Sequence, residues 1–397
     1  MVRTLKPYKA PRPDGIPNII LMKCIDVIID HLFYIYRASL EFAFYYDYWL
    51  TSLTLVLRKP GKPAYDVAKT YRPIGLLDTI GKLLSTLVAT DLSFLVETHG
   101  MLPPGQFGGR PGRNTTDAMH MVTSKIKDVW QAGKVATALF LDVQGAFHNT
   151  VKTQLIHNMR ARGVPLNYTN LIESMLTNRK THLKFDDYTS PPLSIDNGTT
   201  QGCPLSMILY VFYNAPLVDT ARHKNETTIG FVDDCLYLAI ADSLSEAHSA
   251  VKDMMERQDS GFTWSISHNS PFELSKLALM NFPRSHHDAA PPDLILSCTN
   301  TDGTTTNQSI DTVPTFKYLG IIFDSQLCWS THHHKVTANA IWWSLQIARL
   351  SRISGGMPPH HLRQLYTPSQ SQPSPMLLMY GLLMFTDPPA APSASAR

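Results

Sequence analysis

The chain predicts an α+β fold built around a strand hairpin, and three observations carry that prediction. Apolar runs of strand length recur, among them Val135-Ala-Thr-Ala-Leu-Phe-Leu-Asp142 and Gly230-Phe-Val-Asp-Asp-Cys-Leu-Tyr-Leu-Ala239. The second run turns back on itself at Asp233-Asp234, so it reads as a hairpin over 227–240. Segments of helical spacing alternate with the strands, which favours a mixed sheet over a doubly wound parallel one. At 397 residues and 44% hydrophobic, the chain has material for two or three domains or one large composite fold.

In chain order, residues 1–18 are basic and Pro-rich, and 19–47 carry helical periodicity. Leu50–Arg58 reads as a strand before the loop Lys59-Pro-Gly-Lys-Pro63, and 76–98 as an amphipathic helix. Leu102–Asn114 is a Gly- and Arg-rich loop, and Thr116–Ala132 a helix stopped at Gly133. Phe147, Val151, Leu155 and Met159 recur every fourth position, predicting one buried helix face that ends at Gly163-Val-Pro165. Leu166–Leu176 is a further helix. Leu183–Ile195 reads as short strands about a Pro-Pro turn, and Thr199–Leu209 as a turn entering an apolar helix. After a helix at 243–258, Ser285–Val313 reads as loop, and Phe316–Phe323 as strand. Two low-complexity stretches, Ser369–Pro375 and Pro388–Arg397, predict disorder.

Composition excludes several classes. A net charge of +3 and 17% charged residues do not by themselves suggest a nucleic-acid partner, although a basic groove can be cancelled by carboxylates elsewhere. Five scattered cysteines form no C-x-x-C pair, which argues against a zinc knuckle or a disulfide framework. The start lacks an apolar signal region, and the aromatic stretch Ile25–Leu57 is broken by charges short of the ~20 residues that span a bilayer. No membrane partner is expected.

The chemistry centres on three aspartates. Asp142 ends an apolar strand and Asp233-Asp234 interrupt another. Carboxylates in such surroundings are costly to bury unpaired and call for a cation. Two strand-borne carboxylate groups make a hard-oxygen site for Mg²⁺, suited to phosphoryl transfer. The order Asp142, Gln201-Gly-Cys-Pro-Leu-Ser206, Phe231-Val-Asp-Asp234, Lys276, with about 90 residues between the outer carboxylates, is far more specific than any one of its parts.

From Lys9-Ala-Pro-Arg-Pro-Asp-Gly-Ile-Pro-Asn18 to about Leu365, these motifs resemble the reverse transcriptase domain of non-LTR (LINE-type) retrotransposons, in wording closest to fungal Tad-like elements. The resemblance implies a right-hand polymerase fold of fingers, palm and partial thumb. It divides the chain into an N-terminal extension and fingers (1–134), a palm with inserted fingers helices (135–320), the start of a thumb (321–366) and a low-complexity tail (367–397). It also implies two Mg²⁺ ions, with Mn²⁺ as a substitute, held by Asp142 and Asp233, with Asp234 in support and the carbonyl of Val143 as an extra ligand. RNA template, DNA primer and dNTPs are the implied partners, and the nucleus the implied location.

The remaining roles follow residue by residue. Phe147, five positions after Asp142, resembles a steric gate against the ribose 2′-hydroxyl; related RNA-dependent RNA polymerases place an Asp there. Gln201 and Gly202 resemble the loop along the incoming nucleotide, with Pro204 launching a helix. Lys59 and Arg72, in Leu57-Arg-Lys-Pro-Gly-Lys62 and Tyr71-Arg-Pro-Ile-Gly-Leu-Leu77, resemble a triphosphate clamp. Arg110, and less so Arg113, resemble template contacts in a loop whose glycines admit phosphates. Lys276 resembles a late-palm lysine that protonates pyrophosphate. Tyr318, Leu319 and Gly320 resemble the primer grip. After Gln364-Leu-Tyr366 the family's thumb helices are expected to give way to Ser-Pro-Gln sequence, which leaves a second function open: a catalytically silent nucleic-acid-binding remnant.

Overall fold

The computed structural model describes residues 2–8, 14–285, 288, 291, 293–299, 305–351, 356–358 and 360–361. Both low-complexity stretches and the expected end of the thumb helices lie outside these residues.

Two helices, α1 (Asn18–Lys23) and α2 (Ile25–Glu41), precede strand β1 (Thr51–Arg58). β1 pairs antiparallel with β2 (Tyr71–Leu76), placing Leu57 opposite Arg72. It also pairs in parallel with β4 (Arg179–Phe185), which carries β5 (Tyr188–Thr189) and β6 (Leu193–Ile195) on its other edge. The turn in this group falls at Asp186, with φ 46°, and not at the Pro-Pro pair; an aspartate tolerates the left-handed region that a proline cannot adopt.

The second sheet is antiparallel throughout, in the order β7 (Glu226–Phe231), β8 (Asp234–Ala241), β3 (Val135–Asp142), β9 (Ala278–Phe282). β3 is central and buried along its length except at Asp142, which explains why its sequence is a continuous apolar run. Its residues alternate between two cores. Leu139 and Leu141 face one core with α5 (Lys152–Ala161), α6 (Leu166–Met175) and α7 (Pro204–Val218). Ala136, Ala138 and Phe140 face another, built from α4 (Thr115–Gln131) and the hairpin β12 (Thr315–Tyr318)–β13 (Ile321–Asp324).

Helix α3 (Thr79–His99) is long and apolar enough to cross a membrane. Its Leu84, Val88, Leu92 and Val96 stripe is nevertheless buried in the first core. α4 opens on a reciprocal capping box between Asn114 and Asp117. The remaining elements are α8 (Leu244–Glu256), α9 (Gly261–Ser267), the hairpin β10 (Leu294–Thr299)–β11 (Thr305–Ile310), and α10 (Ser330–Leu350).

Two expectations are corrected here. Phe147 does not open a helix: residues 144–148 form a turn with Gly145 at φ 60°, and α5 begins only at Lys152. Nor is 285–313 all loop. Leu294 and Leu296 are buried while Ile295 is 52% exposed, a period-two pattern hidden by the polar Thr-Asn-Gln-Ser strand that pairs with it.

Candidate active site

The register of the four-stranded sheet places Asp142 directly opposite Asp234 across β3 and β8. Asp233 occupies the turn between β7 and β8, beside Val232 at φ 62°. Like charges facing each other on paired strands are destabilising, so the arrangement stores repulsion that a cation relieves. Burial pushes the Asp234 carboxyl up to about 6, with the charges of Asp233 and Asp142 adding to it. Burial raises Asp233 as well, partly opposed by its own amide and reinforced by Asp142. Its side chain is open to solvent, but the surrounding protein strips away much of its hydration.

Asp142 already has a counter-ion. Lys276 Nζ donates to its Oδ2 at 3.1 Å and its Oδ1 at 3.4 Å. Val143 forms a bridge with Phe272 closed by the Gln144 amide to Pro271 O and the Glu273 amide to Asp142 O, each 2.9 Å, which leaves the Val143 carbonyl out of that pairing. Among the described residues no group of three or more His, Cys, Asp or Glu side chains converges as a ready metal cluster. The donor chemistry still suits a hard cation: opposed carboxylates, with two buried phenols, unpartnered among the described residues, that feel their charge. The Tyr210 hydroxyl feels the Asp233 charge and the Tyr318 hydroxyl that of Asp234.

Folding raises these carboxyl pKa values, so ionising them weakens the fold. For Asp234 the contribution is fully present below about pH 4 and is lost as pH rises through about 6. Asp234→Asn is therefore expected to raise the metal-free melting temperature at pH 7.5 by roughly 2 °C, about 1 kcal/mol after allowance for solvent access. It should also blunt the further rise that Mg²⁺ gives the wild type. Melting curves at pH 4.5 and 7.5 with and without Mg²⁺ check this; a lower melting temperature for the variant at pH 7.5 contradicts it.

Phe147 is half-buried, its ring 5.1 Å from that of Tyr210. Its carbonyl accepts from the Thr199 amide at 2.7 Å, tying the turn to the loop that carries Gln201 and Gly202. That loop is fixed in turn to β2: the Gly75 amide donates to Gln201 O at 2.9 Å. A Cβ on Gly202, at φ 118°, would lie 2.7 Å from Gly75 O, and a Cβ on Gly75 would lie 2.3 Å from Thr200 Cγ2. The close approach allowed by Gly202 is thus to β2. A glycine inside a strand signals such an approach, and Gly75 could have been read that way.

Just past β1, Lys59 Nζ donates to Lys69 O at 2.8 Å, and the charge of Lys59, after burial, helps depress the His148 pKa. Arg72 is exposed on β2, and its side chain makes no hydrogen bond or ion pair among the described residues. Arg72 thus stands near the end of the β1–β2 ladder and Lys59 just past it, close enough for its charge to be felt at His148.

The Gly-Arg loop behaves differently from the expectation. Arg110 is buried, with Nε and one terminal nitrogen each donating at 2.8 Å to Glu97 and the other nitrogen to Pro103 O at 3.1 Å. Its donors are spent inside the protein and not on a template. Arg113 donates to Pro104 O at 2.7 Å and Gln106 O at 3.1 Å and lies over the Phe107 ring. The glycines admit the β7–β8 hairpin: a Cβ on Gly105 would lie 2.2 Å from Thr228 O, and one on Gly108 2.5 Å from Val232 N. Arg110→Ala is expected to lower stability by roughly 2–3 kcal/mol, leaving Glu97 and Pro103 O without their donor, with primer–template affinity unchanged. Denaturant melts beside filter binding check this, and an affinity loss at unchanged stability would restore the template role.

Tyr318 is likewise no surface contact. It is 3% exposed, its ring 5.1 Å from Phe140. Leu319 and Gly320, at φ 47° and 90°, form the partly accessible turn of the hairpin. His332, on α10, is buried, and its Nδ1 accepts from the Ile322 amide at 3.2 Å.

Residues 57–323 match the family described as reverse transcriptase (RNA-dependent DNA polymerase). The chain belongs to the reverse transcriptase family. The match begins at the end of β1 and finishes on β13, and so encloses the four-stranded sheet and the three aspartates. The probable RNA-directed DNA polymerase from transposon X-element of Drosophila melanogaster is 26% identical over 327 residues, 82% of this chain and 34% of its own length. The RNA-directed DNA polymerase from mobile element jockey of Drosophila funebris is 27% identical over 338 residues, 84% of this chain and 35% of its own. That from transposon BS of Drosophila melanogaster is 28% identical over 259 residues, covering 64% and 28%. The chain thus spans about a third of the length of the curated relatives it matches. These relatives bear out a non-LTR transposon reverse transcriptase domain and do not distinguish the fungal Tad-like subgroup. The right-hand polymerase fold accords with the mixed helix and sheet architecture of this reverse transcriptase domain.

Proposed function

We propose that this reverse transcriptase domain extends a DNA primer on an RNA template with dNTPs, using two Mg²⁺ ions. The observation that carries the reading is the register of Asp142 opposite Asp234 with Asp233 at the adjoining turn. Asp142, Asp233 and the Val143 carbonyl would hold the ions, with Asp234 in support; bound there, divalent ions supply activation of the primer 3′-hydroxyl and neutralisation of the departing pyrophosphate.

The chain's own side chains do the rest. Lys59 and Arg72 grip the triphosphate, the guanidinium in bidentate fashion. Phe147 closes the space beside the sugar where a 2′-hydroxyl would sit, and Gln201 hydrogen-bonds the sugar. Lys276 neutralises Asp142 at rest and stands within reach to protonate pyrophosphate. Leu319 and Gly320 offer backbone to the primer end, and Arg113 is the remaining template candidate.

The alternative is a nucleic-acid-binding remnant without turnover. Primer extension decides between them. With an RNA template, a DNA primer and Mg²⁺ or Mn²⁺, dNTPs should be incorporated in strong preference to rNTPs. Tight binding of the primer–template with no extension in either metal would establish the remnant.

A further inference from the structure

We propose that Arg179 is a positioning residue for sugar selection: its guanidinium braces the 197–202 loop, and through it holds the Phe147 ring in place. The proposal rests on the reading of Phe147 as the sugar gate and names a residue that acts on it from behind.

Arg179 opens β4 and is 7% exposed. Nε donates to Leu176 O at 3.3 Å, and one terminal nitrogen donates to Asn197 O at 3.2 Å and Gly198 O at 2.6 Å. Among the described residues it makes no ion pair with a carboxylate. Desolvation draws its pKa down to about 10. A buried cation whose hydrogen bonds all go to carbonyls, with Asp196 felt but not paired, is a poor stabilising device, since an apolar side chain of similar volume is often as stable or more so. What the guanidinium supplies that an apolar group cannot is a planar fork fixing three carbonyls at once.

Those carbonyls lead to the gate in one step. The Gly198 amide donates to Thr150 O at 2.7 Å, and the Thr199 amide to Phe147 O at 2.7 Å. Thr199 Oγ1 reaches the same Phe147 carbonyl at 3.4 Å. A Cβ on Gly198 would lie 2.6 Å from His148 O, so the loop is seated hard against the Phe147–His148 turn. The other end of the loop is pinned to β2 through Gly75 and Gln201. Arg179 is the side-chain tie at the near end, and loosening it releases the Phe147 backbone from behind while Tyr210 still packs the ring.

The test compares Arg179→Lys, which keeps the charge and loses the fork, with Arg179→Met, Phe147→Ala and the Arg179→Lys/Phe147→Ala pair. The readouts are kcat/KM for dNTP and rNTP on one primer–template, and hydrogen exchange of the metal-free protein. Arg179→Lys should lower the dNTP-to-rNTP ratio roughly tenfold, with little further loss when added to Phe147→Ala, as expected of coupled residues. Exchange should quicken in 145–151 and 197–203 and stay slow in β3 and β8. An unchanged ratio in Arg179→Lys beside a lowered one in Phe147→Ala overturns the brace alone. An unchanged ratio in Phe147→Ala overturns the gate and the brace with it. If the wild type makes no product, exchange decides: no change at 145–151, or faster exchange throughout the palm, leaves Arg179 an ordinary structural residue.

Discussion

Asp233→Ala is expected to lower primer extension by at least about 10³-fold while the melting temperature holds or rises. The first half follows from charge: a carboxylate that places a divalent ion in phosphoryl transfer is worth several kcal/mol at the transition state, and each ~1.4 kcal/mol is tenfold in rate. The second half follows from the fold. Burial and the Asp142 charge already raise the Asp233 pKa, and Asp233 in turn raises that of Asp234, so its removal relieves repulsion at neutral pH. A general stability mutant would move both measurements downwards together. Single-turnover extension paired with thermal melts separates the cases, and residual activity above a tenth of wild type would remove Asp233 from the reacting centre.

The second large effect is expected at a residue that touches no substrate. In Gly108→Ala the new Cβ would lie 2.5 Å from Val232 N, 2.7 Å from Val232 Cγ2 and 2.8 Å from Phe231 C. Two of these are backbone atoms of the turn that carries Asp233, so no flexible side chain can swing aside. Val232 is a β-branched residue already at φ 62°, a conformation with little tolerance for further displacement. Overpacking of this kind costs about 1–3 kcal/mol. A shift of ~1 Å at a catalytic group lowers rate by about 10²-fold. The variant should therefore fold with a reduced melting temperature and lose extension by about 10²-fold at saturating Mg²⁺. Near wild-type extension would show that the hairpin apex has room to yield.

Gly108 also shows where sequence reasoning stops. Glycines and arginines in one loop are what a phosphate-binding segment needs, and also what a loop needs when it must pass within van der Waals contact of a neighbouring hairpin. The two demands select the same residue types. The deciding partners, Glu97 for Arg110 and Val232 for Gly108, come from different elements, and nothing local marks the pairing. Phe147 presents the same ambiguity in another form. Its spacing to Val151 and Leu155 matches a helix face, but Gly145 at φ 60° turns the chain first. The ring reaches the same core from a turn instead.

The sequence by itself determined the α+β class, the strand ending in Asp142, the hairpin bearing Asp233 and Asp234, the helix launched by Pro204, and membership of a polymerase family. All but the last are local signals, such as an apolar run of strand length, a charge at its end or a proline at a permitted position; the last rests on the order of the motifs along the chain. Tertiary structure alone decided the register that sets Asp142 against Asp234, the pairing of Lys276 with Asp142, the capture of Arg110 by Glu97, and the seat of Arg179 behind the Phe147 turn. Those contacts join residues far apart in the chain. Their partners are chosen by which backbones pack together, a choice that composition and spacing leave open.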